Sequence, residues 1–139
     1  MQISDVIKLT NIRGYYMEKL YKRELLLSNI RLFYKYGDMI KVLSGVRGCG
    51  KSSIMQLICD ELIENEVSKN NIVYINLDNR PYKGIKTQVQ LEKVIDELFL
   101  NIEGTKYLFI DEIQNVKDFE ESINAYREEG DYSIFKKCI

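Results

Sequence analysis

Residues Gly45 to Ser52 read G-V-R-G-C-G-K-S, and few octapeptides restrict a fold so strongly. They fit G-x-x-x-x-G-K-[ST], a pattern that works only where a strand end passes directly into a helix start. That context is present. The run Met39 to Leu43 reads as a strand ahead of the loop, and Ile54, Leu57, Ile58 and Leu62 recur behind it at helical spacing. Gly45, Gly48 and Gly50 open backbone conformations closed to other residues, so that successive N–H groups from about Val46 to Ser52 can turn inward on a phosphate. The helix beginning near Lys51 adds unpaired N–H groups and the positive end of its dipole. The candidate phosphate-binding set is therefore Gly45, Val46, Arg47, Gly48, Cys49, Gly50, Lys51, Ser52 and Ser53. Lys51 can reach β- and γ-phosphate oxygens, and the Ser52 hydroxyl suits a Mg2+ ligand.

At 139 residues the chain is long enough for one domain with a real core, although short for a complete nucleotide-hydrolysing module. No stretch approaches the roughly 18 apolar residues of a membrane span. The first residues, Met1 to Ile7, lack the basic start and long apolar run of a secretion signal, so a cytoplasmic location is expected. Cys49, Cys59 and Cys138 show no C-x-x-C spacing and the chain has no histidine. They read as reduced thiols, not zinc ligands. Within the loop, Cys49 reads as a small residue that fits, with a reactive thiol as the sharper alternative.

Charge is divided unevenly. Residues 1–59 hold 10 Lys and Arg against 4 Asp and Glu, whereas residues 60–139 hold 10 against 17. A basic amino-terminal half can mark a nucleic-acid face. An anionic nucleotide and solvated helix surfaces account for it as well, and no nucleic-acid contact is expected from this chain alone.

Along the chain, residues 14–30 carry Tyr16, Leu20, Arg23 and Leu27 at the spacing of a helix that packs one side inward. Tyr15, Tyr16, Tyr21 and Tyr34 read as core aromatics, with stacking on a base as the alternative. Tyr36-Gly37-Asp38 forms a turn. After the loop a helix is expected to about Glu66, then a strand over Ile72 to Leu77, a loop around Pro81, and a helix bearing Leu91, Val94, Ile95, Leu98 and Phe99 that closes at Glu103-Gly104. Phe119, Ile123 and Tyr126 predict a further helix ending near Gly130, followed by a strand from Tyr132 to Phe135. The β-α-β-α alternation points to a parallel sheet with helices on its faces.

The second half of the site is Tyr107-Leu-Phe-Ile110 ending in Asp111-Glu112, about 60 residues beyond the loop. At the carboxyl end of a parallel strand beside a phosphate loop, Asp111 is placed to hold a Mg2+ water shell. Glu112 is placed to orient or deprotonate a water attacking the γ-phosphate. The candidate catalytic residues are Glu112 and Lys51, and the candidate metal ligands Ser52 and Asp111. Arg47 reads equally as a phosphate or neighbouring-subunit contact and as a solvent-exposed loop charge. Asn115 reads as a turn or helix N-cap residue, with water positioning as the alternative.

With G-V-R-G-C-G-K-S, I-V-Y-I-N-L-D at 72–78 and Y-L-F-I-D-E-I-Q-N-V at 107–116 in view, the chain resembles the AAA+ superfamily. It is most similar to prokaryotic ATPases whose P-loop domain is followed by a C-terminal domain of unknown function. The resemblance covers residues 13–135, with Gly48 where relatives usually carry a second Arg. It implies an α/β, three-layer P-loop NTPase fold of the AAA+ type, incomplete at the C-terminus. A helical lead-in over 1–37 is then followed by a partial nucleotide-binding core over 38–139. Arg13, Tyr16 and Leu20 resemble the helix that lies near the adenine in that family. The strand order 5-1-4-3-2 of the superfamily would set the strand at 132–135 between the Walker A and Walker B strands.

In relatives that strand runs on into a Thr-Gly-Ser-Asn type sequence, whereas here Lys136 and Lys137 follow. The resemblance thus implies a chain without sensor 1, the lid, the arginine finger or the C-terminal domain, as in a truncated ATPase. The expected function is Mg-dependent ATP binding, with hydrolysis slow or lost. The alternatives are a non-catalytic nucleotide-binding interaction module, which could associate with itself or with a full-length relative, and a remnant without function.

Overall fold

The computed structural model describes residues 27–28, 30–34, 36–37, 39–43 and 51–137, with 51–53 as backbone. The chain divides into two compact units, Met1–Tyr34 and Lys35–Ile139. In the first, residues 27–28 and 30 are helical and pass into a 3-10 turn, Arg31–Phe33. The remainder of the helix expected over 14–30, with Tyr15, Tyr16 and Tyr21, lies outside the described residues, as do Cys49 and Cys138.

The second unit carries four strands, β1 (Ile40–Leu43), β2 (Ile72–Asn76), β3 (Lys106–Asp111) and β4 (Tyr132–Lys137). Three helices connect them: α1 (Lys51–Glu64), α2 (Gln88–Leu98) and α3 (Phe119–Glu129). All pairings are parallel and the spatial order is β1-β4-β3-β2. The chain travels from β1 across the whole sheet to β2 and then returns stepwise through β3 to β4. Because crossovers between parallel strands are right-handed, this reversal sends α1 to one face and α2 and α3 to the other. The α/β parallel architecture expected from the sequence is thus the architecture observed.

The two faces follow from strand parity. On one face Val73, Ile75, Leu108, Ile110 and Ile134 pack with Leu91, Ile95 and Phe99 of the α2 segment and Ile123 and Tyr126 of α3. The Tyr132 ring sits edge-on between Phe99, at 5.7 Å, and Tyr126, at 4.9 Å. On the other face, direct cross-strand partners Lys41, Phe135, Phe109 and Tyr74 form one row over all four strands. Parallel neighbours lie near 4.8 Å apart, so flat rings in register must stack. Phe109 and Phe135 lie 4.5 Å apart with planes 5° off parallel, and Tyr74 continues the row at 6.2 Å. The Lys41 ammonium caps it, 4.7 Å above the Phe135 ring. Lys41 is buried, and its ammonium donates to Ser133 Oγ at 2.7 Å and to the Tyr36 carbonyl at 2.7 Å. A charge inside the sheet layer is tolerated because its donors are used. Met55 of α1 covers the row, its sulfur 4.0 Å from the Tyr74 hydroxyl.

Local chemistry sets the helix ends. Thr87 Oγ1 accepts from Gln90 N at 3.3 Å and Gln90 Oε1 accepts from Thr87 N at 3.2 Å. This capping box starts α2 and contributes about 1 kcal/mol. α3 carries Glu120 and Glu121 at its positive end and stops at Gly130, whose φ of 87° is open to glycine. At Gly37 a methyl group would lie 2.8 Å from the Tyr132 carbonyl oxygen, so the turn before β1 approaches β4 closely.

Two boundaries depart from the sequence reading. α2 ends at Leu98, not at Gly104, and Leu98 is largely exposed while Phe99 turns inward. Leu91, Ile95 and Phe99 keep the i, i+4, i+8 spacing of one buried face, and the chain leaves the helix through Asn101, whose φ of 62° is left-handed. β4 does not stop at Phe135: the ladder continues through Lys136, paired with Val42 and Ile110, to Lys137, paired with Leu43.

Burial leaves a titration signature. It lifts the Cys59 thiol, with help from Asp60, from 9.0 to about 12, and lifts the Tyr132 hydroxyl, with help from Glu129, from 10.0 to about 12. Tyr107 and Tyr126 are also raised by burial, the latter further by its 2.7 Å hydrogen bond to Asp96. All four keep their protons in the folded state at a pH where the unfolded chain releases them. Their contribution to stability is therefore complete below pH 9 and is lost as pH rises towards 12. The urea midpoint is expected to fall steadily above about pH 9; a midpoint that is flat or rises between pH 9 and 11 would contradict this burial pattern.

Candidate nucleotide and metal site

β3 is apolar and buried from Tyr107 onward and delivers Asp111 to the carboxyl edge of the sheet. Asp111 lies on the same face as Phe109, and its side chain is 1% exposed. The Tyr74 hydroxyl lies on that face too and donates to Asp111 Oδ2 at 3.3 Å. Asn76 is the direct cross-strand partner of Asp111, and Leu77 N donates to the Asp111 carbonyl at 3.1 Å.

The chain then turns sharply. Glu112 takes left-handed angles, φ 58° and ψ 42°, which cost an ordinary residue roughly 1–2 kcal/mol. A 3-10 turn, Ile113–Asn115, follows, with Asn115 N donating to the Glu112 carbonyl at 3.1 Å. Ile113 and Val116 are buried in the core and hold the turn down. This bend keeps Glu112 beside Asp111 on the edge, although adjacent strand residues would point to opposite faces.

The carboxylates are closely engaged. Gln114 Nε2 donates to Glu112 Oε2 at 2.6 Å. The Lys137 ammonium, at the tip of β4, stands 3.4 Å from Asp111 Oδ1 and 3.3 Å from Glu112 Oε1. Lys136 points to the opposite face, its ammonium 4.8 Å over the Phe119 ring. Farther along the edge, Asn115 Nδ2 donates to Asp78 Oδ1 at 2.9 Å and Asp78 N donates to Asn76 Oδ1 at 2.9 Å. Asn115 is thus a turn residue tied to the β2 exit, and the cap position of α3 falls to Asp118.

Of the residues singled out from the sequence, Asp111 and Glu112 stand together at this edge. Lys51, Ser52 and Ser53 form the first turn of α1, whose chain leaves β1 at Leu43, the cross-strand partner of Lys137. Gly45, Val46, Arg47, Gly48, Cys49 and Gly50 lie outside the described residues. Tyr74, Gln114 and Asp78 were not read as site residues. For Tyr74 strand parity was the available signal, since it lies two residues before the partner of Asp111.

The donor set suits Mg2+. Two neighbouring carboxylates already bracket a positive charge, the Lys137 ammonium. Mg2+ keeps several waters and takes one or two carboxylates together with phosphate oxygens.

Residues 37–136 match the AAA_14 family, described as an AAA domain. The chain belongs to that family. As an AAA domain it falls among nucleotide-binding P-loop folds, in line with its four-stranded parallel sheet. It is 34% identical over 94 residues to an uncharacterized protein of Haemophilus influenzae, a match covering 68% of this chain and 24% of that protein. It is 26% identical over 141 residues to an uncharacterized protein of Methanocaldococcus jannaschii, covering 93% of this chain and 30% of that protein. The chain therefore spans 24% and 30% of the lengths of these two curated relatives. No solved structure matches it significantly. Among the described residues no helix is long and apolar enough to cross a membrane.

The Tyr74 hydroxyl is one of the groups that satisfy the buried Asp111 carboxylate. Tyr74→Phe keeps the ring stack and removes that donor, so it is expected to lower stability by about 1–2 kcal/mol. Urea denaturation at neutral pH reads this directly, and an unchanged midpoint would show that the hydroxyl does not support Asp111.

Proposed function

We propose that this AAA domain binds Mg-ATP at the carboxyl edge of its sheet and hydrolyses it slowly. The observation that carries the reading is the pair Asp111 and Glu112, both buried, held side by side with the Lys137 ammonium at the carboxyl edge of the sheet. In this reading the backbone of Gly45 to Ser52 cradles the phosphates, with Ser53 as the next N–H along α1. Lys51 contacts the β- and γ-phosphate oxygens. Ser52 and Asp111 hold Mg2+, which when bound offsets the phosphate charge and orients the terminal group.

Glu112 orients a water for in-line attack and takes its proton. The left-handed bend brings its carboxylate to the same edge as Asp111, and the Gln114 hydrogen bond to Oε2 limits its rotation. The Oε1 atom is the one left to act on water once Lys137 moves away. Hydrolysis by this segment alone is slow in this reading, because an arginine supplied by a neighbouring subunit or another part of a longer chain raises such rates by about 10³–10⁵-fold. Self-association or association with a longer relative is the route by which it would be supplied.

A second reading is nucleotide binding without turnover. Both Glu112 oxygens are engaged, by Lys137 and Gln114, and a base so held is not free to act.

Binding of a fluorescent ATP analogue in the presence of Mg2+ tests the common core of both readings. Lys51→Ala is expected to weaken that binding by at least ~10-fold. A folded parent chain that does not bind the analogue would overturn both. Phosphate release then separates them: a fall in Glu112→Gln supports hydrolysis, whereas release below detection in both proteins supports binding alone.

A further inference from the structure

The Lys137 ammonium occupies the space between the two carboxylates to which the nucleotide reading gives the metal and the attacking water. It is 3.4 Å from Asp111 Oδ1 and 3.3 Å from Glu112 Oε1, with the lysine side chain 12% exposed. These separations are longer than the 2.7–2.9 Å of a tight charge-assisted hydrogen bond. The ammonium thus bridges two acids rather than locking onto one.

Its position is set by the sheet. Lys137 closes β4 in register with Leu43, the last residue of β1, and Lys136 anchors the strand end through Val42 and Ile110. Strand parity directs Lys137 to the face of Phe109, Asp111 and Phe135. The stem lies on that face, and the ammonium end reaches the two carboxylates.

We propose that Lys137 is a built-in counter-cation of the Asp111–Glu112 pair, which keeps a divalent cation out until a nucleotide triphosphate draws the ammonium away. The inference rests on the nucleotide reading above and adds regulation to that site. Two buried carboxylates without a counter-charge repel one another and lose hydration. Lys137 meets both problems. A divalent cation entering the same space would face a fixed positive charge. A triphosphate gives the ammonium another anion to pair with, vacates the carboxylates and brings oxygens that complete the coordination of the metal. Metal and nucleotide therefore enter together, and Glu112 Oε1 becomes available only in the loaded state.

Mn2+ titration of the whole chain, followed by the loss of the free-ion paramagnetic resonance signal beyond that caused by the analogue alone in a protein-free control, tests this without any measurement of turnover. The parent chain is expected to bind Mn2+ at least ~10-fold more tightly with a non-hydrolysable ATP analogue than without it. Lys137→Met keeps the stem and removes the charge. It is expected to bind Mn2+ without nucleotide at least ~10-fold more tightly than the parent. Lys137→Arg keeps the charge and is expected to resemble the parent. The thermal midpoint of Lys137→Met in chelator should fall below that of the parent and recover when Mn2+ is added.

Equal nucleotide-free affinity in folded parent and Lys137→Met would overturn the proposal. If Lys137→Met folds only when Mn2+ is present, the proposal is supported. If it folds in neither condition, Lys137→Gln decides, with an unchanged affinity overturning the proposal and a ~10-fold gain supporting it. A parent chain that binds no Mn2+ even with the ATP analogue overturns the nucleotide reading itself. Binding with the analogue, together with equal affinities without it, overturns the gate alone.

Discussion

The inner edges of β1 and β3 can have their backbone groups satisfied only by a strand between them, and β4 is that strand. A buried amide or carbonyl without a partner costs as much as a lost hydrogen bond, so without β4 the sheet would separate into an isolated β1 and a β2-β3 pair. The insertion also aligns the row from Lys41 through Phe135 and Phe109 to Tyr74, which exists only because four side chains from four strands share one register level. Stacked aromatic pairs contribute roughly 0.5–1.5 kcal/mol each beyond their buried area. Packing thus supports the pairing that places the site.

The same insertion determines the electrostatics at the carboxyl edge. β3 ends in two acids and β4 ends in a lysine directed to the same face, so strand pairing brings the charges together before any ligand is considered. Such a buried cluster adds little net stability and mainly restricts which arrangement is allowed. Here its oxygens are further restrained by the Tyr74 hydroxyl and the Gln114 amide, one from a neighbouring strand and one from the turn that Glu112 itself begins. Residues that form the sheet and residues that hold the acids are in part the same.

Much of this was legible in the chain. The loop pattern at 45–52 and the apolar strand ending in Asp111-Glu112 follow from short-range rules of type and spacing, and so do the helix around Ile123 and its stop at Gly130. The extent of β4 was harder to read. By type Lys136 and Lys137 suit a sheet interior poorly, although they can sit at a strand's carboxyl end. In the structure Lys136 lies over an aromatic ring and Lys137 meets carboxylates, so both are compatible with the ladder. Likewise Leu98 fits a helical period on paper, yet the buried face runs through Leu91, Ile95 and Phe99 and leaves Leu98 exposed.

The sequence by itself determined the parallel α/β class, the loop motif and the acidic pair, because each is specified by residues close together in the chain whose chemistry admits few backbone arrangements. Only the tertiary structure decided which other groups meet Asp111 and Glu112. Tyr74 lies on another strand, Gln114 reaches back across a left-handed bend, and Lys137 arrives through the register of β4 with β1 and β3. Those contacts depend on strand order and register, which long-range hydrogen bonding and packing select and which local spacing cannot express.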